Sequence, residues 1–94
     1  MIQWTRQAAR QLEQVYDYIL NDANEATADR IAAQVLTAVE RLETFPMSGR
    51  AGRVAGTREL VIPGTPFIAA YTIRRSGVVV LALYHGSRKW PDSL

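Results

Sequence analysis

The chain has 94 residues, 48% of them hydrophobic and 21% charged, which is typical of one globular domain. It has no cysteine, which excludes disulfides and thiolate metal sites, and its longest apolar stretch, near residues 78–84, is too short for a membrane helix. The net charge is +2, but residues 1–45 hold four Arg against seven acids, a net charge of −3, whereas residues 46–94 have a net charge of +5. The basic half therefore predicts a surface for phosphate or for an acidic protein.

The N-terminal half predicts a short strand followed by two helices. Ile2–Trp4 precedes Thr5, a good N-cap, and apolar residues then recur at helical spacing. Either Asp22 or Asn24 can cap a second helix, whose apolar stripe runs to Phe45. Two adjacent amphipathic helices with a short link predict an antiparallel hairpin. Because the chain starts directly in this pattern, without a signal peptide, we expect a cytoplasmic protein.

The C-terminal half predicts an antiparallel sheet. Residues 46–57 contain three Gly and two Arg and read as a loop. Period-two patterns then predict strands at Arg58–Pro63, Phe67–Arg74 and Val78–His85, joined by turns too short for anything but antiparallel pairing. The predicted fold is α+β: a single domain over residues 1–94, with a short N-terminal strand, a helical hairpin and a three-stranded antiparallel sheet.

Two basic clusters are candidates for function. One comprises Arg50, Arg53 and Arg58, with Glu59 beside them, and the other follows the last strand as His85, Arg88, Lys89 and Trp90. RNA cleavage needs an acid, a base and cations. His85 could be acid or base, Glu59 a base, and Arg58, Arg88 and Lys89 could hold phosphate. In a simple meander, however, Arg58 lies near Arg74 and Arg75, and His85 lies near residues 63–67.

Structural roles are the alternative for the same residues. Strict alternation places His85 on the side of Val79, Leu81 and Leu83, where a lone histidine is usually a hydrogen-bonded structural residue, and it places Tyr84 with Val80 and Ala82 as packing. Alternation also directs Arg58 and Glu59 to opposite faces. Trp90 can cover the sheet or contact a partner. The sequence contains no metal-ligand spacing and no nucleotide-binding motif, so we expect no cofactor.

The ordered motifs resemble one known superfamily. Leu42-x-x-x-Pro46-x-x-Gly49-Arg50, then Gly56-Thr57-Arg58-Glu59-Leu60, then a strand centred on Tyr71, and finally Tyr84-His85-Gly86-x-Arg88-x-Trp90-Pro91 are similar to the RelE/ParE bacterial toxins. This resemblance implies a growth-inhibiting toxin of a type II toxin-antitoxin system, neutralised by a cognate antitoxin. It also implies the strand, helical hairpin and antiparallel sheet described above.

The resemblance leaves the target of the toxin open. RelE-like members cut mRNA at the ribosome, whereas ParE-like members poison DNA gyrase. A single lysine, Lys89, departs from the lysine-rich RelE pattern, so the resemblance is closer to ParE. We therefore expect a gyrase inhibitor that contacts its target or antitoxin through Arg50, Arg53, Arg58, Arg88, Lys89 and Trp90. The alternatives are a ribosome-dependent, metal-independent endoribonuclease using His85, Glu59, Arg58 and Arg88, and a binding module without toxicity.

Overall fold

The structure, a computed structural model, describes residues 1–87. Two helices pack on one face of a single sheet. In chain order the elements are β1 (Ile2–Trp4), α1 (Arg6–Asp22), α2 (Glu25–Glu40), β2 (Arg50–Ala51), β3 (Arg58–Val61), β4 (Phe67–Arg74) and β5 (Gly77–His85). The predicted α+β class and helical hairpin are confirmed.

Both helices begin at side-chain caps, as the sequence predicts. The Thr5 hydroxyl accepts a hydrogen bond from the Ala8 amide at 3.1 Å, and the Asn24 side chain accepts one from the Thr27 amide at 2.8 Å. Asn24, rather than Asp22, is therefore the cap of α2. Each cap satisfies an amide that would otherwise lack a partner in the first helical turn.

The sheet has five strands in the order β1-β5-β4-β3-β2, one more than the N-terminal strand and the three-stranded meander that the sequence predicts. β1 pairs in parallel with β5, placing Ile2 opposite Val78 at one edge. At the other edge Arg50–Ala51 forms β2 within the predicted loop and pairs antiparallel with Glu59 and Arg58. A two-residue strand has no period to detect, so sequence patterning could not find it. The central β3-β4-β5 meander is antiparallel, as predicted.

A register shift in β5 changes which side chains share a face. Ala70 lies opposite Ala82 but Tyr71 lies opposite Val80, so Leu81 is an extra residue in β5. The strict alternation predicted for this strand is therefore wrong. Val80 and Leu83 both pack in the core under the helices.

We call the helix-covered side of the sheet the inner face and the opposite side the outer face. Because directly paired residues project to the same side, Phe67 and His85 belong to the inner face with Ala69 and Leu83. By the same rule Tyr84 shares the outer face with Ile68, Ala70 and Ala82. Uninterrupted alternation would place His85 on the same face as Val79 and Tyr84 on the same face as Val80. In the structure His85 shares the inner face with Val80, and Tyr84 shares the outer face with Val79.

The core lies between the hairpin and the inner face. Its fully enclosed members are contributed by both layers: Ala8, Val35, Val39, Ile62, Ala69, Val80 and Leu83. A second cluster contains Leu42, Tyr71 and Val78. The predicted stripe of α2 extends too far, because the helix ends at Glu40 and a 3-10 turn over Arg41–Glu43 follows. This turn buries Leu42 and leaves Phe45 57% exposed.

Candidate functional site

A buried tyrosine anchors the segment that follows the helices. Tyr71 in β4 is fully enclosed, and its hydroxyl donates to the Pro46 carbonyl at 2.7 Å and accepts from the Gly49 amide at 2.9 Å. A Cβ at position 49 would lie 2.6 Å from this hydroxyl and 2.9 Å from the Glu59 carbonyl oxygen. The close approach explains why a glycine follows Pro46 at this spacing.

Arg58 holds the same segment from the neighbouring strand. Its Nε donates to the Gly49 carbonyl at 3.0 Å, and a terminal guanidinium nitrogen donates to the Met47 carbonyl at 3.1 Å. Tyr71 lies directly opposite Arg58 in the sheet, which brings both side chains to one stretch of backbone. Three of the motifs that carry the family resemblance therefore meet here, where they fix residues 46–49. We call these contacts the loop clip.

Glu59 points to the outer face and is 5% exposed. Its Oε1 accepts hydrogen bonds from Arg50 Nε at 3.1 Å and from Arg50 Nη2 at 2.9 Å. The Arg50 side chain remains 60% exposed, so one side of the pair is open to solvent. Because the carboxylate is enclosed and neutralised by Arg50, this arrangement favours a structural or binding role over proton transfer.

His85 lies at the other end of the meander, as the sequence predicts. It pairs with Phe67, and the two rings meet edge to face with centroids 5.7 Å apart. Its Nδ1 accepts from the Ser87 amide at 3.1 Å and lies 2.7 Å from the Ser87 hydroxyl. Because the amide can only donate, the neutral ring has its proton on Nε2.

The residues proposed for RNA cleavage do not converge among residues 1–87. His85 lies opposite Phe67 and Arg58 lies opposite Tyr71, a separation of about 13 Å along β4 at the usual strand rise. Glu59 is on the outer face, whereas His85 is on the inner face. The remaining proposed member, Arg88, lies outside the described residues together with Lys89 and Trp90.

The outer face contains a polar cluster of Arg50, Arg53, Glu59 and Tyr84, of which the tyrosine is the member that the sequence did not reveal. Burial, followed by the negative charge of Glu59, raises the pKa of Tyr84 to about 12, while Arg53 and Arg50 act in the opposite direction. Ala70 and Ala82 lie opposite each other between these side chains, and their methyl groups leave room for the larger neighbours. The sequence did not place Tyr84 beside Glu59 and Arg50, because this placement depends on the extra residue in β5, which is not visible in the pattern of residue types.

This cluster is suited to binding anions rather than to acid-base chemistry. Tyr84 stays protonated at neutral pH and can donate a hydrogen bond, and the guanidinium groups of Arg50 and Arg53 carry donors for phosphate or carboxylate. Residues 1–87 contain no group of three or more His, Cys, Asp and Glu that could hold a metal ion. No helix in the described part of the chain is long and apolar enough to span a membrane.

Comparisons with known proteins agree with the motifs. The family model described as "ParE toxin of type II toxin-antitoxin system, parDE" matches residues 2–90. The protein named "Putative toxin Y4kP" from Sinorhizobium fredii is 42% identical over 93 residues, covering 99% of this chain and 95% of the relative. A solved structure titled "Chromosomal ParDE TA system from P. aeruginosa" superposes with a TM-score of 0.82. It covers 89% of this chain and 92% of its own, and its sequence identity of 24% supports the shared fold alone.

Proposed function

The chain belongs to the ParE toxin family of type II toxin-antitoxin systems, and on this premise we propose that it inhibits growth by poisoning DNA gyrase and is neutralised by a cognate antitoxin. The observation that best supports a binding function is that the side chains of Arg58 and Glu59 are both engaged in contacts within the fold. Arg58 donates to two backbone carbonyls, and Glu59 is buried against Arg50. An endoribonuclease that used these residues would need the guanidinium of Arg58 free for the scissile phosphate and the carboxylate of Glu59 free to take a proton.

Charge distribution supports a contact through the sheet rather than through the helices. Arg50, Arg53, Arg74 and Arg75 are exposed in the sheet and its loops, whereas Glu59, the only acid between residues 46 and 87, is buried. A surface with this excess of guanidinium groups attracts acidic protein segments and speeds their association. Arg53 is the position that we choose to change, because it is exposed on this surface, and because Arg50 is the ionic partner of the buried Glu59.

The proposal predicts that the purified toxin blocks supercoiling by gyrase in vitro. Arg53→Glu should weaken this inhibition about tenfold or more, whereas Arg10→Glu, on the exposed surface of α1, should leave it within twofold. Circular dichroism of both variants would show whether they fold. Gyrase that keeps full activity at a large excess of toxin would refute the proposed target.

Two further measurements separate the alternatives. Primer extension on translated mRNA after induction should show no new 5′ ends, and position-specific cleavage would favour the endoribonuclease. Expression without a partner protein should arrest growth, and normal growth would favour a binding module without toxicity.

A further inference from the structure

The outer face of the sheet is closed at its centre, although both helices lie on the inner face. Residues 68–71 of β4 are all buried, and Ala82 and Leu83 of β5 are buried next to each other. Consecutive buried residues in a strand mean that both faces of the sheet are covered, whereas a solvated face alternates buried with exposed residues. The outer face over Ile68, Ala70 and Ala82 therefore has a cover that the helices do not provide.

The described chain closes two borders of this patch. The loop after β2 closes one end, where the Thr72 hydroxyl donates to the Gly56 carbonyl at 2.8 Å. Arg50 closes one side through its ion pair and is still 60% exposed. Between these borders the methyl groups of Ala70 and Ala82 lie opposite each other. We call this pair the alanine floor. Such small side chains beside larger ones leave a depression that fits a large, flat side chain.

The chain leaves β5 beside the alanine floor. The Gly86 amide donates to the Pro66 carbonyl at 2.7 Å, which extends the pairing beyond the end of β5. A Cβ at position 86 would lie 3.2 Å from Cδ1 of Ile68, a residue of the outer face. The backbone therefore passes close to the outer face where the described chain ends at Ser87, and seven residues follow.

We propose that these residues, 88–94, fold back over the outer face of the sheet. The Trp90 indole lies on the alanine floor, and the Asp92 carboxylate pairs with the guanidinium groups of Arg50 and Arg53. The indole gains burial and a cation–π contact with the same guanidinium groups. Asp92 is the only acid after Glu59 in the sequence, so within this half of the chain it is the natural counter-charge for the exposed arginines.

The spacing in the sequence supports this placement. A segment that folds back about the last described residue advances about 3.3 Å per residue on both sides of the turn. Asp92 then comes level with Ala82, and Trp90 comes level with Tyr84 at the edge of the floor. The row of paired residues that contains Ala82 ends at Arg50. The carboxylate is thus directed towards the arginine whose side chain is open to solvent.

The folded-back segment has a consequence for partner binding. An acidic partner that uses Arg50 or Arg53 must displace Asp92, so the segment competes with it from within the chain. Its apparent affinity falls by the fraction of toxin in which the segment is displaced. This consequence rests on the proposed function, which assigns the same arginines to an acidic partner, whereas the position of the segment does not.

Nuclear Overhauser effects in the full-length protein test the position directly. We expect contacts between the indole protons of Trp90 and the methyl groups of Ala70 and Ala82. Trp90→Phe identifies the indole signals, because Trp4 is the only other tryptophan. Indole contacts with the helices, or none with the outer face, would overturn the proposal.

A fluorescent decaglutamate peptide tests the competition. Asp92→Asn should bind it about threefold to tenfold more tightly than the wild type, because the arginines no longer have their internal partner. Asp22→Asn on the exposed surface of α1 changes the net charge equally and should alter the affinity by less than about twofold. Trp90→Ser should also tighten binding, and circular dichroism of each variant would show whether it folds.

Equal affinities of the Asp92→Asn and Asp22→Asn variants would refute the pairing of Asp92 with the arginines. Peptide binding that is unchanged by Trp90→Ser would refute the anchoring of the segment by the indole. Neither readout contains gyrase. Negative results together with intact inhibition of supercoiling would therefore overturn this inference and leave the proposed function standing.

Discussion

Replacing Tyr71 by Phe should destabilise the protein through two backbone groups rather than through packing. The substitution keeps the aromatic ring in the second core cluster and removes only the hydroxyl. The Pro46 carbonyl then loses a donor at 2.7 Å, and the buried Gly49 amide loses an acceptor at 2.9 Å. Water cannot easily reach the Gly49 amide in place of the hydroxyl, because both Gly49 and Tyr71 are buried.

The expected loss follows from the cost of unsatisfied groups. An intramolecular hydrogen bond contributes about 1 kcal/mol, and a buried donor left without a partner costs about 1–3 kcal/mol. Because the Pro46 carbonyl is half-buried and can recover water, we expect a total loss of about 2–3 kcal/mol. A domain of this length has a free energy of unfolding of about 5–14 kcal/mol. The melting temperature should therefore fall by roughly 10–20 °C.

Urea unfolding followed by circular dichroism measures this loss. The slope of the unfolding free energy against urea should stay the same, because the surface exposed on unfolding does not change. Tyr18→Phe is a matched control, since Tyr18 is 68% exposed, and it should change stability by less than about 0.5 kcal/mol. A loss below 0.5 kcal/mol for Tyr71→Phe as well would refute the role assigned to the loop clip.

Three other predictions concern the ion pair, the outer-face phenol and the helix caps. Arg50→Ala should destabilise the protein by about 2 kcal/mol, less than the ~3–5 kcal/mol of a fully buried pair because Arg50 is 60% exposed, and adding Glu59→Gln should restore part of it in urea melts. A full additive loss in the double variant would contradict this. The pKa of Tyr84 is about 12 in the fold against 10 normally, so the unfolded chain releases this proton first. The stability linked to Tyr84 is thus complete below pH 10 and is lost as the pH rises towards 12, and urea melts across this range should decline more steeply for the wild type than for Tyr84→Phe. Parallel declines would exclude the perturbed phenol. Asn24→Ala should cost about 1 kcal/mol and Thr5→Ala about 2 kcal/mol, because the Thr5 hydroxyl also donates to β5 at 3.2 Å; equal losses in thermal melts would argue against that second contact.

Local rules in the sequence were sufficient for the helical layer. Thr5 and Asn24 are cap residues placed before amphipathic patterns, and the structure uses both in that way. The pairing of β3, β4 and β5 also followed from the short turns, which placed His85 beside Phe67. These features depend on contacts between residues that are close in the chain, and such contacts can be predicted from residue types and from the spacing of apolar residues.

The candidate site was harder to predict because it depends on contacts that leave no periodic signal. Arg58 reads as a phosphate ligand in any basic cluster, yet its donors meet two carbonyls nine and eleven residues earlier. The extra residue Leu81 reverses the facing of Tyr84 and His85 without altering composition. Phe45 continues the apolar stripe in the sequence, but the chain leaves the helix before reaching it.

The parallel pairing of β1 with β5 has a consequence for synthesis of the toxin. Ile2 and Val78 are opposite each other although they are far apart in the sequence. β1 therefore cannot pair until β5 has emerged from the ribosome. Contacts of such long sequence separation also form late because they close a long loop. The helical hairpin is made earlier, but it cannot pack against Val80 and Leu83 of the sheet until β5 has been synthesised. A chain interrupted before Gly77 therefore lacks β5, the neighbour of the edge strand β1, and with it the core residues Val80 and Leu83, so the complete sheet and core can form only after β5 has been made.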